Sequence, residues 1–545
     1  MLWSQNYTPA GGSLALSAAI AALPLAVLLV LLGLLRKPGW VAALAALATA
    51  VAVTAGVFGM PIGLAFSASL YGAAYGIFPI CWIMFWAILL YRITVETGRF
   101  EAIKDSIGGV TEDRRLQALL IAFAFGSFVE GAAGFGAPVA VAAAMLAGLG
   151  FSPFYAAAIC LLANTAPVAF GSLGIPIITL SGITGLKAGL LSSAVGRICT
   201  PVSLIIPAYL VAVMGGWRAL KGVWPAAAVC GLTYAGCQLV ISNTLGPQLT
   251  GILGSLVTIG VLIAMLRVWK PRDAFALEGD CPMVAERPRR SPREILSAWM
   301  PYGILVAFVL AWGSEWVKPW LSRLTFVVPW PYLHNAVLQQ PPAVVHAGPY
   351  AARYTLNWLA AAGTACMLAC VVSAIATRMR PRAFLKVIGG TSAQLAKPVL
   401  TVALVLALAF LMNYSGATAT LGLAFATSGV AFPFFSAMLG WIGVFLTGSD
   451  TSANALFGGL QVVTATHLKL NPVLLAAANS SGGVMGKMIS LQSIAVAVAA
   501  TGLAQRDESR LFRFTLKHSL LLASIVGLIV LFYAYVMPGW MPAVK

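Results

Sequence analysis

The sequence predicts an all-α, polytopic transmembrane helical fold, and three observations predict it. The first is composition. Of 545 residues, 60% are hydrophobic and 9% charged, and the mean hydropathy is +0.93. Soluble domains carry about 25% charged residues, so a water-soluble fold could not cover its surface with so few. Soluble enzymes, DNA-binding proteins and secreted disulfide scaffolds are poor readings for the same reason. The second is run length. Residues 14–35 and 40–91 contain no charge, and a hydrocarbon core needs about 20 apolar residues per helix, which gives roughly a dozen crossings. The third is pattern. The runs do not alternate and exceed the ~10-residue strand of a membrane barrel. Backbone groups in lipid must be satisfied internally, which leaves helices.

The spans fall near 14–35, 40–60, 70–92, 187–214, 222–241, 250–268, 298–313, 355–377, 397–412 and 513–537. Regions 116–180 and 433–503 are apolar but interrupted by Gly, Pro and polar residues. The net charge of +18 is a topology signal, because cytoplasmic loops carry the excess of Lys and Arg. Six connections hold 25 of the 33 basic residues. They centre on Arg36, Arg114 and Arg115, Arg218, the run from Arg267 to Arg293, Arg380 and Arg510. The alternate loops hold Lys187, Lys318, Arg323, Arg353, Lys469 and Lys545. This places both termini outside the cytoplasm and removes the need for nucleic acid as a partner. No basic region opens the chain, so a cleaved signal peptide is not expected. Seven cysteines lie in apolar runs and Cys281 in a polar loop. None has metal-ligand spacing, so free thiols are expected.

Two segments repeat. GSFVEGAAG (126–134) resembles GVFLTGSDT (443–451), and ANTAPVAFG (163–171) resembles ANSSGGVMG (478–486). The span before the first interruption enters the cytoplasm and the span before the second leaves it. The units are therefore inverted repeats, a recurring transporter design. Each is expected to contain a re-entrant hairpin and a broken helix. The tip of a half-crossing hairpin exposes backbone groups that survive only in protein or beside a wet cavity. Gly131, Gly134, Gly136 and Gly448 suit such tips. Breaks are expected around 164–167 and 480–483. A broken helix offers free N–H groups and a positive dipole end, which favour an anion. The organisation is then 1–69, N-terminal helices; 70–214, first repeat; 215–268, connecting helices; 269–297, cytoplasmic linker; 298–377, helices with an outer loop at 314–353; and 378–545, second repeat.

The motifs SFVEGAAGFGAPVA (127–140), ANTAPVAFGSLGIPI (163–177), FLTGSDTSANALF (445–457) and GGVMGKMISLQSIAVA (482–497) resemble the bacterial L-lactate permease family. LWSQNYTPAG near the start and LFRFTLKHS (511–519) fit as well. The resemblance implies proton-coupled uptake of L-lactate, with D-lactate and glycolate, across the bacterial cytoplasmic membrane. It extends to the wider ion transporter superfamily and implies an elevator motion. A homodimer is compatible with it.

Ionisable groups inside spans are functional candidates by default. Glu130 and Asp450, at the two tips, are candidate proton carriers, since burial favours a neutral carboxyl. The alternative is a carboxylate held by tip N–H groups or a nearby base. Lys487 could pair with a substrate carboxylate or with Asp450 or Glu130. Arg197 reads as a structural or interfacial group. Asn164, Thr165, Ser449, Thr451, Ser452, Asn454, Asn479, Ser480 and Ser481 supply polar partners for a carboxylate and a hydroxyl. Capping at helix breaks is their competing role. His334, His346, His467 and His518 read as solvated or capping groups. No zinc pattern, GxGxxG or Walker loop is present, so no metal or cofactor and no ATP-driven step are expected. The rivals are a sodium-coupled carboxylate transporter of the same architecture, a membrane-embedded enzyme, and a channel.

Overall fold

A computed structural model describes residues 2–134, 136–273, 275, 277, 290–344, 346–504 and 507–543. Among them, ten helices are long and apolar enough to cross a membrane, or up to twelve if each of two bent pairs is one span. In chain order the helices are α1 (Leu14–Leu34), α2 (Gly39–Gly56), α3 (Ile62–Glu96), α4 (Arg99–Gly108), α5 (Arg114–Ala132), α6 (Ala137–Gly148), α7 (Pro153–Ala163), α8 (Val168–Thr184), α9 (Ala188–Thr244) and α10 (Pro247–Val268). They continue as α11 (Pro292–Gly313), α12 (Lys318–Ser322), α13 (Ala362–Ala376), α14 (Pro381–Ser415), α15 (Ala417–Ala426), α16 (Gly429–Thr447), α17 (Asp450–His467), α18 (Pro472–Ile489), α19 (Leu491–Thr501) and α20 (Glu508–Tyr535).

Local chemistry sets many of these boundaries. Ser152, Ser449, Asn471 and Ser490 cap α7, α17, α18 and α19 through their side-chain oxygens. Pro153 and Pro472 occupy the first helical turn, where a missing N–H costs nothing. Ser291 and Glu294 form a reciprocal capping box at α11. α9 is two antiparallel arms joined by a reversal at Gly215 and Gly216, matching the two spans expected there. Ser192 on one arm donates to the Ser242 carbonyl on the other at 2.9 Å.

A shared element order runs through both halves: a hairpin (α5–α6 and α16–α17), a bent pair (α7–α8 at 65° and α18–α19 at 42°), then a long helix. Without a hydrophobic drive between helices in lipid, association depends on close backbone approach at small residues. The α16–α18 contact is built this way. Added Cβ atoms on Gly440 and Gly482 would overlap the carbonyl oxygens of Asn479 and Ala437. Large apolar residues such as Leu44, Phe66, Leu232 and Leu528 face outward, where lipid would cover them.

Strands are short and lie at one end. β1 (Trp3–Ser4) pairs in parallel with β3 (Val337–Gln339), which pairs with β4 (Gly348–Pro349). β2 (Phe326–Pro329) pairs with β5 (Arg353–Leu356). The strand at 353–356 corrects the expected span at 355–377: the helix begins only at Ala362, because Arg353–Leu356 is committed to its partner strand. Gln5 Nε2 donates to the Asn413 and Tyr414 carbonyls at 3.0 and 2.9 Å, clamping the N-terminal segment to the end of α14.

At the opposite end, the linker's described residues are pinned. Buried Arg115 bridges Asp113 and Asp273, each at 2.7 Å, and covers the Phe275 ring. Arg290 pairs with Asp105 at 2.8 Å. Linker residues 278–289, including Cys281, and the basic residues Arg506 and Lys545 lie outside the described residues. The other seven cysteines are free thiols, as expected.

Candidate functional site

The two hairpin tips and the two bent pairs meet inside the protein. Glu130 lies in the last turn of α5 and Asp450 is the first residue of α17, directly after the tip at Gly448 and Ser449. Lys487 stands at the end of α18, beside the second bend. All three are almost fully buried, at 4%, 3% and 8% exposure. Each interacts electrostatically with the other two. Among the described residues, neither carboxylate comes within the 4.0 Å of a direct ion pair with Lys487. Its ammonium instead donates to the Gly448 carbonyl at 2.5 Å.

The first half holds its tip in the same way. Ser172 Oγ donates to the Ala133 carbonyl at 2.7 Å. Donor and acceptor are 39 residues apart in both halves, and Ala133 and Ser172 precede Gly448 and Lys487 by the same 315 residues that separate Asn164 from Asn479. Each tip is thus held by one side-chain hydrogen bond from its own bent pair; the offset of 315 pairs Ala133 with Gly448, whereas the hairpin motifs aligned from sequence pair Gly131 with Gly448. Ser172 and Leu173 hold left-handed backbone (φ 44° and 59°), a conformation that costs a non-glycine residue roughly 1–2 kcal/mol. Gly134, Gly136 and Gly448 have positive φ where the hairpins turn. Gly131 lies within α5, a turn before the tip. Its role is close approach, since a Cβ there would stand 2.8 Å from the Gly251 carbonyl carbon.

The first bend falls at the expected 164–167. The second does not fall at 480–483. α18 runs helically through Gly486, and the chain bends at Ser490, whose φ and ψ are −63° and 136°. Gly482 and Gly483 serve packing rather than breakage. A Cβ on Gly483 would stand 2.5 Å from Asp450 Oδ1.

Around Asp450 the polar residues form a chain. Ser480 Oγ and Asn454 Nδ2 donate to Oδ2 at 2.6 and 3.3 Å. Asn454 also donates to the Pro176 carbonyl of α8 at 3.2 Å, tying the second tip to the first bent pair. Asn479 donates to Asn454 Oδ1 at 2.9 Å and accepts from Gln461 at 3.1 Å. Ser449 caps α17, and Thr165 donates to the Leu162 carbonyl at 2.8 Å, so both fill the capping role. Thr451 and Ser452 are buried in the first turn of α17. Several buried polar atoms keep no partner of hydrogen-bonding geometry: Glu130 Oε2, both amide atoms of Asn164, Asp450 Oδ1 and Ser481 Oγ. Such orphans are rare in folded proteins, and here they converge on one region. Glu130 Oε1 lies against Gly171, where a Cβ would stand 2.5 Å away.

Arg197 lies elsewhere. Its guanidinium donates to Asn243 Oδ1 at 2.8 and 3.0 Å and to the Trp540 carbonyl, tying α9 to the C-terminal segment. The histidines are also remote in role: His334 accepts from Ala352 N–H at 3.1 Å, and His518 meets the Tyr209 hydroxyl at 2.6 Å. Among the described residues, no group of His, Cys, Asp and Glu could hold a metal ion. Sequence reasoning missed Gln461 and Ser436, which brace Asn479, and Tyr234, Gln238 and Ser127 on the Glu130 side. Polar uncharged residues within apolar runs were the available signal.

Two hairpins and two bent helix pairs surrounding buried charges inside a multi-pass bundle define a membrane transporter. The L-lactate permease family model matches residues 17–537. The L-lactate permease of Salmonella typhimurium is 45% identical, covering 99% of this chain and all of that one. The L-lactate permease of Bacillus subtilis gives the same figures, and the glycolate permease GlcA of Escherichia coli is 45% identical over 98% and 99% of the two chains. The chain therefore belongs to the L-lactate permease family, a family of permeases and not enzymes. Two solved transporters are more distantly similar. The Alcanivorax borkumensis YdaH transporter is 15% identical (TM-score 0.45, covering 86% and 87%), and Neisseria gonorrhoeae MtrF is 13% identical (TM-score 0.44, covering 87% and 83%).

Proposed function

We propose that this chain carries L-lactate, together with D-lactate and glycolate, into the cell with a proton across the bacterial cytoplasmic membrane. The names of relatives matched over their full length support the substrate class. The observation that carries the coupling is the burial of two carboxyls and one ammonium at the meeting of the two tips. With all three ionised the site holds one net negative charge. A monocarboxylate would add a second in a medium where uncompensated charge is expensive. Protonation of Glu130 or Asp450 restores the balance, so anion and proton enter together and no net charge moves. The ammonium of Lys487 and the amide of Asn164 are the groups available to a substrate carboxylate.

The hairpins act in this reading as re-entrant loops of two inverted repeats. Each tip is latched to its own bend through Ser172 or Lys487. A unit built this way moves as one body against the remaining helices, which is an elevator motion. Both termini lie outside the cytoplasm, in keeping with the basic loops.

Reconstituted vesicles loaded at alkaline pH and diluted into acidic buffer test this. Labelled lactate accumulates with the pH gradient, with or without sodium. Accumulation driven by a sodium gradient alone would overturn proton coupling and support the sodium-coupled reading. Counterflow against unlabelled lactate separates a carrier from a channel, which does not trap label.

A further inference from the structure

Gln238 sits in the second arm of α9 with no solvent exposure. Its Nε2 donates to the Ala166 carbonyl at 3.5 Å, within the first bend and two residues after Asn164. Its Oε1 has no partner. Tyr234, one helical turn earlier on the same face, lies beside Ser127 and Glu130. The amide is therefore tied by its donor end to the bend that carries Asn164, its acceptor end is unsatisfied, and Tyr234 on the same face stands beside Glu130.

A 2-hydroxy acid presents a carboxylate, which needs donors, and a hydroxyl, which brings one hydrogen needing an acceptor. Lys487 can only donate. Among the described residues, the unpartnered acceptors at the site other than hydroxyls are Glu130 Oε2, Asp450 Oδ1, Asn164 Oδ1 and Gln238 Oε1; the Ser127 and Ser481 hydroxyls are also unpartnered but each carries a hydrogen of its own to place. A carboxylate placed against the α-hydroxyl would also stand next to the substrate's own carboxylate and repel it. Asn164 sits beside Glu130 and its amide is suited to the substrate's anionic end. Gln238 supplies a neutral acceptor on a separate helix, held by its own N–H. We propose that Gln238 is the specificity-determining residue for the α-hydroxyl, distinguishing 2-hydroxymonocarboxylates from the corresponding acids that lack it.

This rests on the substrate class proposed above. Its test is a ratio: the concentrations of unlabelled propanoate and unlabelled lactate that halve labelled lactate uptake in vesicles. Sites that hydrogen-bond a substrate hydroxyl reject analogues lacking it strongly, because their polar group is then left unpaired. Wild type should prefer lactate. In Gln238→Met, which keeps the volume without the acceptor, the ratio should fall by about tenfold or more. Gln238→Asn keeps a neutral amide acceptor one methylene shorter and should retain more of the preference than Gln238→Met. A wild-type ratio in Gln238→Met, or a ratio in Gln238→Asn no higher than in Gln238→Met, overturns the assignment to Gln238 alone. Absence of lactate uptake by the wild-type protein would instead overturn the substrate reading.

Discussion

Replacing Lys487 with Met removes the one cation from the buried triad while leaving most of the side chain's volume. Its Nζ donates to the Gly448 carbonyl at 2.5 Å and interacts with both Glu130 and Asp450. Two unit charges about 5 Å apart at an effective dielectric of about 20 interact by about 3 kcal/mol. The same magnitude applies to a substrate carboxylate beside the ammonium, and corresponds to roughly a hundredfold in binding. Lys487→Met should therefore lower the efficiency of lactate uptake about a hundredfold in vesicles carrying equal amounts of inserted protein. It should also lower stability, since removing one partner of a buried charge set costs about 3–5 kcal/mol. The double variant Lys487→Met/Asp450→Asn removes one of the two carboxylates left uncompensated. It should be less destabilised than the two single variants together, with a coupling of about 0.5–3 kcal/mol. Thermal unfolding in detergent reads the stability and initial uptake rates read the transport. Wild-type uptake in Lys487→Met, or strictly additive destabilisation, would refute the electrostatic argument.

Other outcomes follow from packing and from the linker. Gly440→Ala should destabilise by about 1–3 kcal/mol or more, because its Cβ meets backbone that cannot yield; Gly303→Ala in α11, with open space around it, should be neutral or stabilising by up to about 1 kcal/mol. Ser172→Ala should free the first tip, raising amide exchange at 132–134 by roughly fivefold for about 1 kcal/mol of lost hydrogen bond. Arg115→Ala leaves Asp113 and Asp273 unpaired; with Asp273 half exposed, the loss should be about 3 kcal/mol, the lower end for a buried pair. Hydrogen bonds from Arg115 hold the Asp273 carboxyl below the usual carboxylate range. Its contribution is therefore present above about pH 4 and lost only as pH falls through the depressed folded value. Thermal unfolding between pH 5 and 8 should show no titration of this clasp, which separates it from any pH dependence of uptake.

Residues that punctuate an apolar run were readable. Glu130, Asp450 and Lys487 stood out because a charge in a span demands a reason, and Gly134, Gly136 and Gly448 because only a tip or a close approach calls for them there. The first bend was readable because Asn164 and Pro167 both interrupt a helix. The second was misplaced because Gly482 and Gly483 look like breakers, whereas the fold uses them to bring α18 against α16 and Asp450. Glycine has these two uses in a membrane helix, and sequence alone does not separate them. The start of α13 at Ala362 depended on a strand pairing with residues 326–329, a partner local pattern does not announce. Gln238, Gln461 and Ser436 escaped notice because neutral polar side chains in apolar helices carry no period of their own. Only their neighbours reveal that one braces Asn479 while another keeps a free acceptor.

The most direct measurement is a structure determined with lactate bound. The account predicts ligand density between the two hairpin tips, with the carboxylate within hydrogen-bond reach of Lys487 or Asn164 and with Glu130 and Asp450 at its border. Density confined to another place, such as the roughly 450 Å³ cavity lined by Tyr7, Gln340 and His467, with the triad untouched, would contradict it.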